Sequence, residues 1–153
     1  MQTQPGYFKS LQILYKALFI GLLLFGSIAI LLVKNGFATG NNFPADIFLY
    51  VAIALSVTLV SLSYKLFNKK LEEAKQQNNL GDKLNGYRAA FILQLALCEM
   101  PGLFTIICYL LTGSKMFMWL LLLLLLNFGS RYPTKSKLIQ QLELDMEEEN
   151  MLD

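Results

Sequence analysis

The chain has 153 residues, a net charge of +2, two cysteines and no histidine, and it is 55% hydrophobic but only 16% charged. This composition argues against a soluble domain. The lack of histidine and of metal-spaced clusters argues against zinc, haem and iron-sulfur sites, so no cofactor is expected. Cys98 and Cys108 share one apolar block. They lie about 15 Å apart along a helix, which is too far for a disulfide.

The first predicted membrane span covers residues 11–33. Residues 17–33 carry no charge, and Lys16 lies where its ammonium group reaches the lipid headgroups. A cleaved signal peptide is the competing interpretation, but the apolar block is longer than such peptides use and the sequence after Lys34 is a poor cleavage site. A Gly/Asn/Pro-rich stretch at residues 35–44 then predicts a loop.

The second predicted span covers residues 46–67, and Pro44 and Asp46 give it ordinary helix-start signals. A charged, strongly helical sequence follows the span and breaks only at residues 78–81. It predicts a cytoplasmic helical hairpin over residues 68–87. Acidic residues among the lysines of this hairpin indicate a solvated helix face more than a binding site.

The third predicted span covers residues 88–112, and the fourth covers the leucine-rich residues 115–130. The fourth span is short, so we expect it to stand untilted or to extend slightly at each end. Residues 134–153 predict a cytoplasmic amphipathic and acidic tail. Its apolar face consists of Leu138, Ile139 and Leu142. The tail lies on the membrane, packs against the hairpin, or frays in solvent.

The positions of lysine and arginine predict the orientation. With the N-terminus inside, eleven of these cations lie within or beside cytoplasmic segments and only Lys34 and Lys115 lie outside. We therefore expect both ends of the chain to lie in the cytoplasm. The expected fold is all-α, an integral membrane four-helix bundle of two helical hairpins with a cytoplasmic helical extension.

Glu99 is the one carboxylate within the third span, near the bilayer midplane. A charge at that depth costs a few kcal/mol and commonly marks a proton or ion path. Ala96 and Gly102 share its helix face and permit a close neighbour, while Pro101 frees the carbonyl oxygen of Leu97. No cation lies at a matching depth, so we expect the carboxyl to be neutral at physiological pH.

A neutral carboxyl in lipid needs a hydrogen-bond partner. The hydroxyls nearest the midplane are those of Ser27 on the first span and Ser56 or Thr58 on the second. Gln94 lies about 140° round the helix from Glu99 and is a weaker partner. Two roles stay open for Glu99, an ion- or proton-binding site and a structural interhelical hydrogen bond worth on the order of 1 kcal/mol.

Residues 88–104, RAAFILQLALCEMPGLF, resemble the carboxylate-bearing helix of the rotary ATP-synthase proteolipids, subunit c. The resemblance implies that Glu99 is an ion-carrying carboxylate and that Arg88 belongs to a cytoplasmic loop. The four-span layout is similar to the doubled hairpin of the vacuolar-type proteolipids. The first span departs from that family because its glycines are only Gly21 and Gly26, and the hairpin and acidic tail are foreign to it.

The whole chain also resembles short bacterial four-span membrane proteins of uncharacterised activity. The shared features are Arg88, the Glu-x-Pro segment at residues 99–101 and the Arg-Tyr-Pro-Thr-Lys stretch at residues 131–135. This resemblance implies the fold and a location in the bacterial cytoplasmic (inner) membrane, and it implies no activity.

Together these features favour a small polytopic membrane protein without enzymatic activity that acts through helix–helix contacts. It is expected to be a homo-oligomer or an accessory subunit of a membrane complex. The alternative is a proton- or cation-linked translocator that uses Glu99. An intramembrane enzyme is disfavoured because no histidine, second midmembrane carboxylate or nucleophile beside a base is present. The expected partners are the lipid bilayer and membrane subunits, and not nucleic acid, because the basic residues flank the spans.

Overall fold

A computed structural model describes residues 6–36 and 44–150, and within these residues the chain forms helices and no strands. In chain order the helices are α1 (Tyr7–Lys34), α2 (Ala45–Lys75), α3 (Leu80–Thr112), α4 (Met116–Gly129), α5 (Lys135–Leu142) and α6 (Met146–Asn150). The all-α prediction is confirmed. Most of the predicted loop at residues 35–44 and the last residues of the acidic tail lie outside the described part of the chain.

Three helices, α1, α2 and α3, are long and apolar enough to cross a membrane. With 28, 31 and 33 residues, they are about 42–50 Å long, against a hydrocarbon layer of about 30 Å. Helix α4 has 14 residues, or about 21 Å, and falls short of that thickness. Three apolar helices therefore support the membrane prediction, whereas the fourth crossing stays a prediction.

Buried residues recur at separations of three, four or seven positions along the first two helices, so each helix presents one stripe to its neighbours. On α1 they are Tyr7, Leu11, Tyr15, Leu22, Gly26 and Ala29, and on α2 they are Ala52, Ser56, Ser63, Phe67, Leu71 and Ala74. This spacing suits the left-handed packing common among membrane helices. The small residues in the apolar half of α2 let α3 approach closely.

Helix α3 is the centre of the bundle and contacts α1, α2 and α4. Half of its apolar window is buried, compared with 17% for α1 and 11% for α2. Pro101 is buried inside α3 without ending the helix. A Cβ atom at Gly102 would lie 3.0 Å from Leu22 Cδ2, so this glycine makes room for α1.

The start of α1 is anchored by two tyrosine hydroxyl groups. Tyr7 donates a hydrogen bond from its hydroxyl group to the carbonyl oxygen of Leu84 on α3. The Tyr15 hydroxyl donates to the carbonyl oxygen of Phe128 at 3.0 Å, near the end of α4. The beginning of α1, the beginning of α3 and the end of α4 therefore lie at the same end of the bundle.

Helix α5 packs against the hairpin formed by the end of α2 and the start of α3. Leu138 and Leu142 are 2% and 1% exposed and share one core with Leu71 and Leu84. Thr134 caps the helix, since its Oγ1 accepts a hydrogen bond from the Lys137 amide at 3.3 Å. Of the three placements left open by the sequence, the structure has the tail helix on the hairpin.

Polar contacts also join the tail to the hairpin. Lys75 forms an ion pair with Glu143 at 2.7 Å, and Lys83 forms one with Glu148 at 2.7 Å. The nearby Lys75 ammonium lowers the pKa of the Glu143 carboxyl. Because Glu143 is exposed, solvent screens this pair, and the buried leucines of α5 contribute most of the docking energy.

Candidate functional site

The Glu99 carboxyl lies half-buried on α3, and within residues 6–36 and 44–150 it makes no hydrogen bond or ion pair. Its assignment as an ion- or proton-binding residue stays a prediction. The structure does show where the hydroxyls proposed as its partners lie.

The register between α2 and α3 separates Ser56 from Glu99. The Cys98 thiol donates a hydrogen bond to Ser63 Oγ at 3.3 Å, so Ser63 is the α2 hydroxyl at the level of Glu99. Ser56 is seven residues away from Ser63, which is about 10 Å along the helix. Its hydroxyl donates to the carbonyl oxygen of Ala52 at 2.6 Å. Both serines are visible in the sequence, but the register that brings Ser63, and not Ser56, to the level of Glu99 is not.

The other two candidate hydroxyls, on Ser27 and Thr58, are exposed on the outside of the bundle. Ser27 donates to the carbonyl oxygen of Leu23 at 2.8 Å. Because Leu22 lies beside Gly102, Ser27 is about 12 Å along α1 from the level of Glu99. None of the three predicted hydroxyls hydrogen-bonds to the carboxyl in the described part of the chain.

The remaining predicted residues of the Glu99 site divide between the inside and the outside of the bundle. Pro101 and Gly102 are buried, Leu97 is half-buried and Ala96 is exposed. The Thr105 hydroxyl donates to the carbonyl oxygen of Pro101 at 2.7 Å. The Gly102 side of the site is therefore filled by α1, while the Ala96 side faces outward.

An apolar surface, which we call the open face of α3, lies beside Glu99. It consists of Ile92, Ala96, Met100, Leu103 and Ile107, all of them exposed. Lipid is the ordinary cover for such a surface, so its exposure alone does not indicate a partner. The carboxyl at its edge is different, because hydrocarbon offers neither a donor nor an acceptor.

A second polar site lies where α4 ends, and it was not recognised from the sequence. There Arg131 was considered as an orienting charge and as the start of the Arg-Tyr-Pro-Thr-Lys stretch, and not as a binding residue. Arg131 is 8% exposed. Its guanidinium carbon lies 4.0 Å from the ring centroid of Tyr64, and Nε and Nη2 are each 3.4 Å from Asn127 Oδ1. Nη1 is the one buried side-chain nitrogen or oxygen in the described residues without a hydrogen-bond partner.

Arg131 borders a cavity of ≈ 210 Å³ between α2, α3 and the α4–α5 connection. We call this cavity the Arg131 pocket. The polar residues around it include Tyr64, Asn68, Tyr87, Gln94, Lys137 and Gln141. Gln94, which the sequence offered only as a weak partner of Glu99, lies here instead. The sequence signal for this site is an arginine directly after an apolar helix and a tyrosine at the end of another.

Metal binding has no obvious site in the described residues, where no group of three or more His, Cys, Asp or Glu side chains is placed to hold an ion. Cys98 and Cys108 are buried, and neither forms a disulfide. Their separation along one helix predicts that they do not bridge each other.

A scan against protein-family models, a search of curated proteins and a search of solved structures each found no match. The resemblances of residues 88–104 to a proteolipid helix and of the whole chain to short bacterial four-span proteins therefore stay expectations.

Proposed function

We propose that the chain is a polytopic membrane protein that acts through contact between its helices and those of a second copy, with Glu99 at the centre of the contact. The observation that supports this most is the half-buried Glu99 carboxyl without a partner in the described residues. A polar group left unpaired in hydrocarbon costs about 2–7 kcal/mol. A partner from another chain removes that cost.

A second copy is the simplest source of that partner. A protonated carboxyl both donates and accepts hydrogen bonds. Two copies inserted in the same direction carry Glu99 at the same depth, so the two carboxyls can bond to each other across a twofold axis. Ala96 is the small, exposed residue of the open face of α3 and allows the two helices to approach.

The proposal includes a fourth crossing by α4 and a cytoplasmic location for both ends. The contact of Tyr15 with Phe128 places the end of α4 beside the start of α1. The α5 leucines share a core with the α2–α3 hairpin. The tail therefore lies at the end of the bundle where α3 begins. This position supports a return of α4 through the layer that α3 crosses. The lysine and arginine asymmetry supports the cytoplasmic side for this end, and we propose the inner membrane of a bacterium as the location.

Maleimide labelling of single cysteines in intact cells tests this orientation. In a background with Cys98→Ala and Cys108→Ala, we expect Lys34→Cys and Lys115→Cys to react with an impermeant maleimide from outside, and Lys69→Cys to react only after the membrane is opened. Labelling of Lys69→Cys in intact cells would contradict the proposed orientation.

Cross-linking in native membranes tests the contact. In the same background, we expect a short bismaleimide to join two chains through Ala96→Cys. Leu123→Cys is the matched control, since Leu123 is an exposed apolar residue in the middle of α4, and we expect no dimer from it. Dimers from both positions or from neither would reject the contact. A cross-link from Ala96→Cys to a different protein would replace the second copy with an accessory role in a complex.

A proton- or cation-linked translocator is the second candidate. It is favoured by the partial exposure of Glu99, because an ion-carrying carboxylate must exchange its ion with the surroundings. The test is proton flux into proteoliposomes that contain the purified protein. Flux in the wild type that is lost in Glu99→Gln supports this candidate, and no flux above that of empty liposomes rejects it.

A further inference from the structure

The guanidinium group of Arg131 is buried and has no counter-charge among the described residues. Within the described residues it makes no ion pair, its Nη1 has no hydrogen-bond partner, and its bonds to Asn127 are long at 3.4 Å. The Tyr64 ring stabilises the cation from one side but accepts no conventional hydrogen bond. A buried charge that is this poorly satisfied is costly unless something else binds it.

We propose that the Arg131 pocket binds the phosphate group of an anionic phospholipid. Its volume of ≈ 210 Å³ is many times the roughly 10–15 Å³ that one water molecule requires. None of the described residues that line it is acidic. A guanidinium group presents paired N–H donors that match the oxygens of a phosphate, which is the anion geometry that Arg131 suits best.

Further donors border the same pocket. Lys137 adds a second positive charge, and its ammonium group is held 3.2 Å from the carbonyl oxygens of Ser130 and Tyr132. The side-chain amides of Gln94 and Gln141 supply N–H groups without charge. Two cations with neutral donors and no carboxylate form a site for a single anion.

The position of the pocket favours a lipid over a free phosphate ion. It lies where α2 leaves its apolar segment, near Tyr64, and where α4 ends before Arg131. Tyrosines gather at the depth of the headgroups, and basic pockets between membrane helices bind anionic headgroups there. This inference needs the membrane placement of the helices but not the Glu99 contact, so each can fail alone.

Native mass spectrometry of the full chain in a non-ionic detergent tests the site. The protein is titrated with short-chain phosphatidylglycerol, and parallel samples receive phosphatidylcholine or inorganic phosphate. We expect Arg131→Gln to raise the dissociation constant for phosphatidylglycerol about tenfold or more, since hydrogen bonds to charged groups are worth about 1.5–3 kcal/mol. Arg88→Gln is the matched control, because Arg88 is an exposed arginine that does not line the pocket, and it should change the constant less than about twofold.

Two further variants keep the test decisive if Arg131→Gln does not fold. Arg131→Lys keeps the charge but loses the paired donors, and Lys137→Gln removes an exposed cation from the pocket. Both should weaken lipid binding while Arg88→Gln does not. Equal affinity in all variants, or equal loss in Arg88→Gln, would overturn the site. Inorganic phosphate that displaces the lipid at equal concentration would overturn the lipid as the ligand.

Discussion

The hairpin formed by α2 and α3 depends on Gly86, and its replacement by alanine is the sharpest test of the packing. A Cβ atom at position 86 would lie 2.7 Å from Ala74 Cβ and 3.3 Å from Ala74 Cα. Carbon atoms pack at about 3.5–4.0 Å, so the two helices must move apart by roughly an ångström. Ala74 cannot rotate away, since its only side-chain atom is the one in the contact.

Two effects of opposite sign set the size of the change. Overpacking costs about 1–3 kcal/mol, and alanine is about 0.8–1.0 kcal/mol better than glycine inside a helix. The 2.7 Å contact with a side chain that cannot rotate away places the overpacking cost in the upper half of its range, about 2–3 kcal/mol. Gly86→Ala should therefore lower the free energy of opening the hairpin by about 1–2 kcal/mol. Amide hydrogen exchange across the hairpin should become about 5–30 times faster.

Hydrogen exchange measured by mass spectrometry on peptides from residues 68–95 checks this prediction. Gly81→Ala is the matched control on the same helix, because its nearest neighbour, Asn79 Oδ1, would be 3.8 Å from the new Cβ, and its exchange should be unchanged or slower. In an Ala74→Gly background most of the harm of Gly86→Ala should disappear, since the contact at 2.7 Å is removed and only the contact with the Cα atom at 3.3 Å remains. Exchange in Gly86→Ala that is as slow as in the wild type would refute the close packing.

Three other predictions concern the tail and the Glu99 site. Leu138→Ala should free α5 from the hairpin, because removing a buried leucine costs about 2–5 kcal/mol. Limited proteolysis between α4 and α5 should then become faster, and continued protection would contradict the docking. The Lys75–Glu143 pair contributes its stability above the ordinary pKa of glutamate and loses it as the pH falls through the lowered pKa of the folded state. Because the buried leucines keep α5 docked, only a minor fraction of longer distances between spin labels on the hairpin and on α5 should appear in acid. The increase of this fraction should be smaller in Glu143→Gln, and an equal increase in both proteins would exclude the pair as a cause. Glu99→Gln should keep the dimer and Glu99→Ala should weaken it in native mass spectra, since only glutamine preserves the hydrogen-bonding shape; unchanged dimers in both variants would show that the side chain is not used.

The sequence was sufficient to predict the long helices, because an uncharged block is a local property that no distant contact can override. The turn between α2 and α3 follows from the breaking residues at 78–81, and the structure has α2 end at Lys75 and α3 begin at Leu80. The length of α4 was also visible from the sequence. Whether α4 crosses the membrane depends on where its two ends lie, and no local sequence pattern encodes that.

The register of the helices could not be predicted, and the site depends on it. Ser56 and Ser63 are both small hydroxyl residues on the buried stripe of α2, seven positions apart. Residues seven positions apart lie on the same helix face, so the sequence pattern cannot tell which of the two serines lies at the level of Glu99. The choice is made by distant contacts such as that of Ala74 with Gly86. The burial of Arg131 likewise depends on how α4 meets Tyr64, and no local pattern encodes that meeting.

Labelling of Glu99 by a hydrophobic carbodiimide, which attacks protonated carboxyls, tests the proposed contact most directly. The reaction is followed by mass spectrometry in native membranes and on the same protein dissociated to single chains in detergent. We predict that Glu99 is protected in the membrane, where the second copy covers it, and becomes reactive in the single chain. Equal labelling in both states, falling as the pH rises and blocked by a cation, would contradict the contact and favour an open ion site.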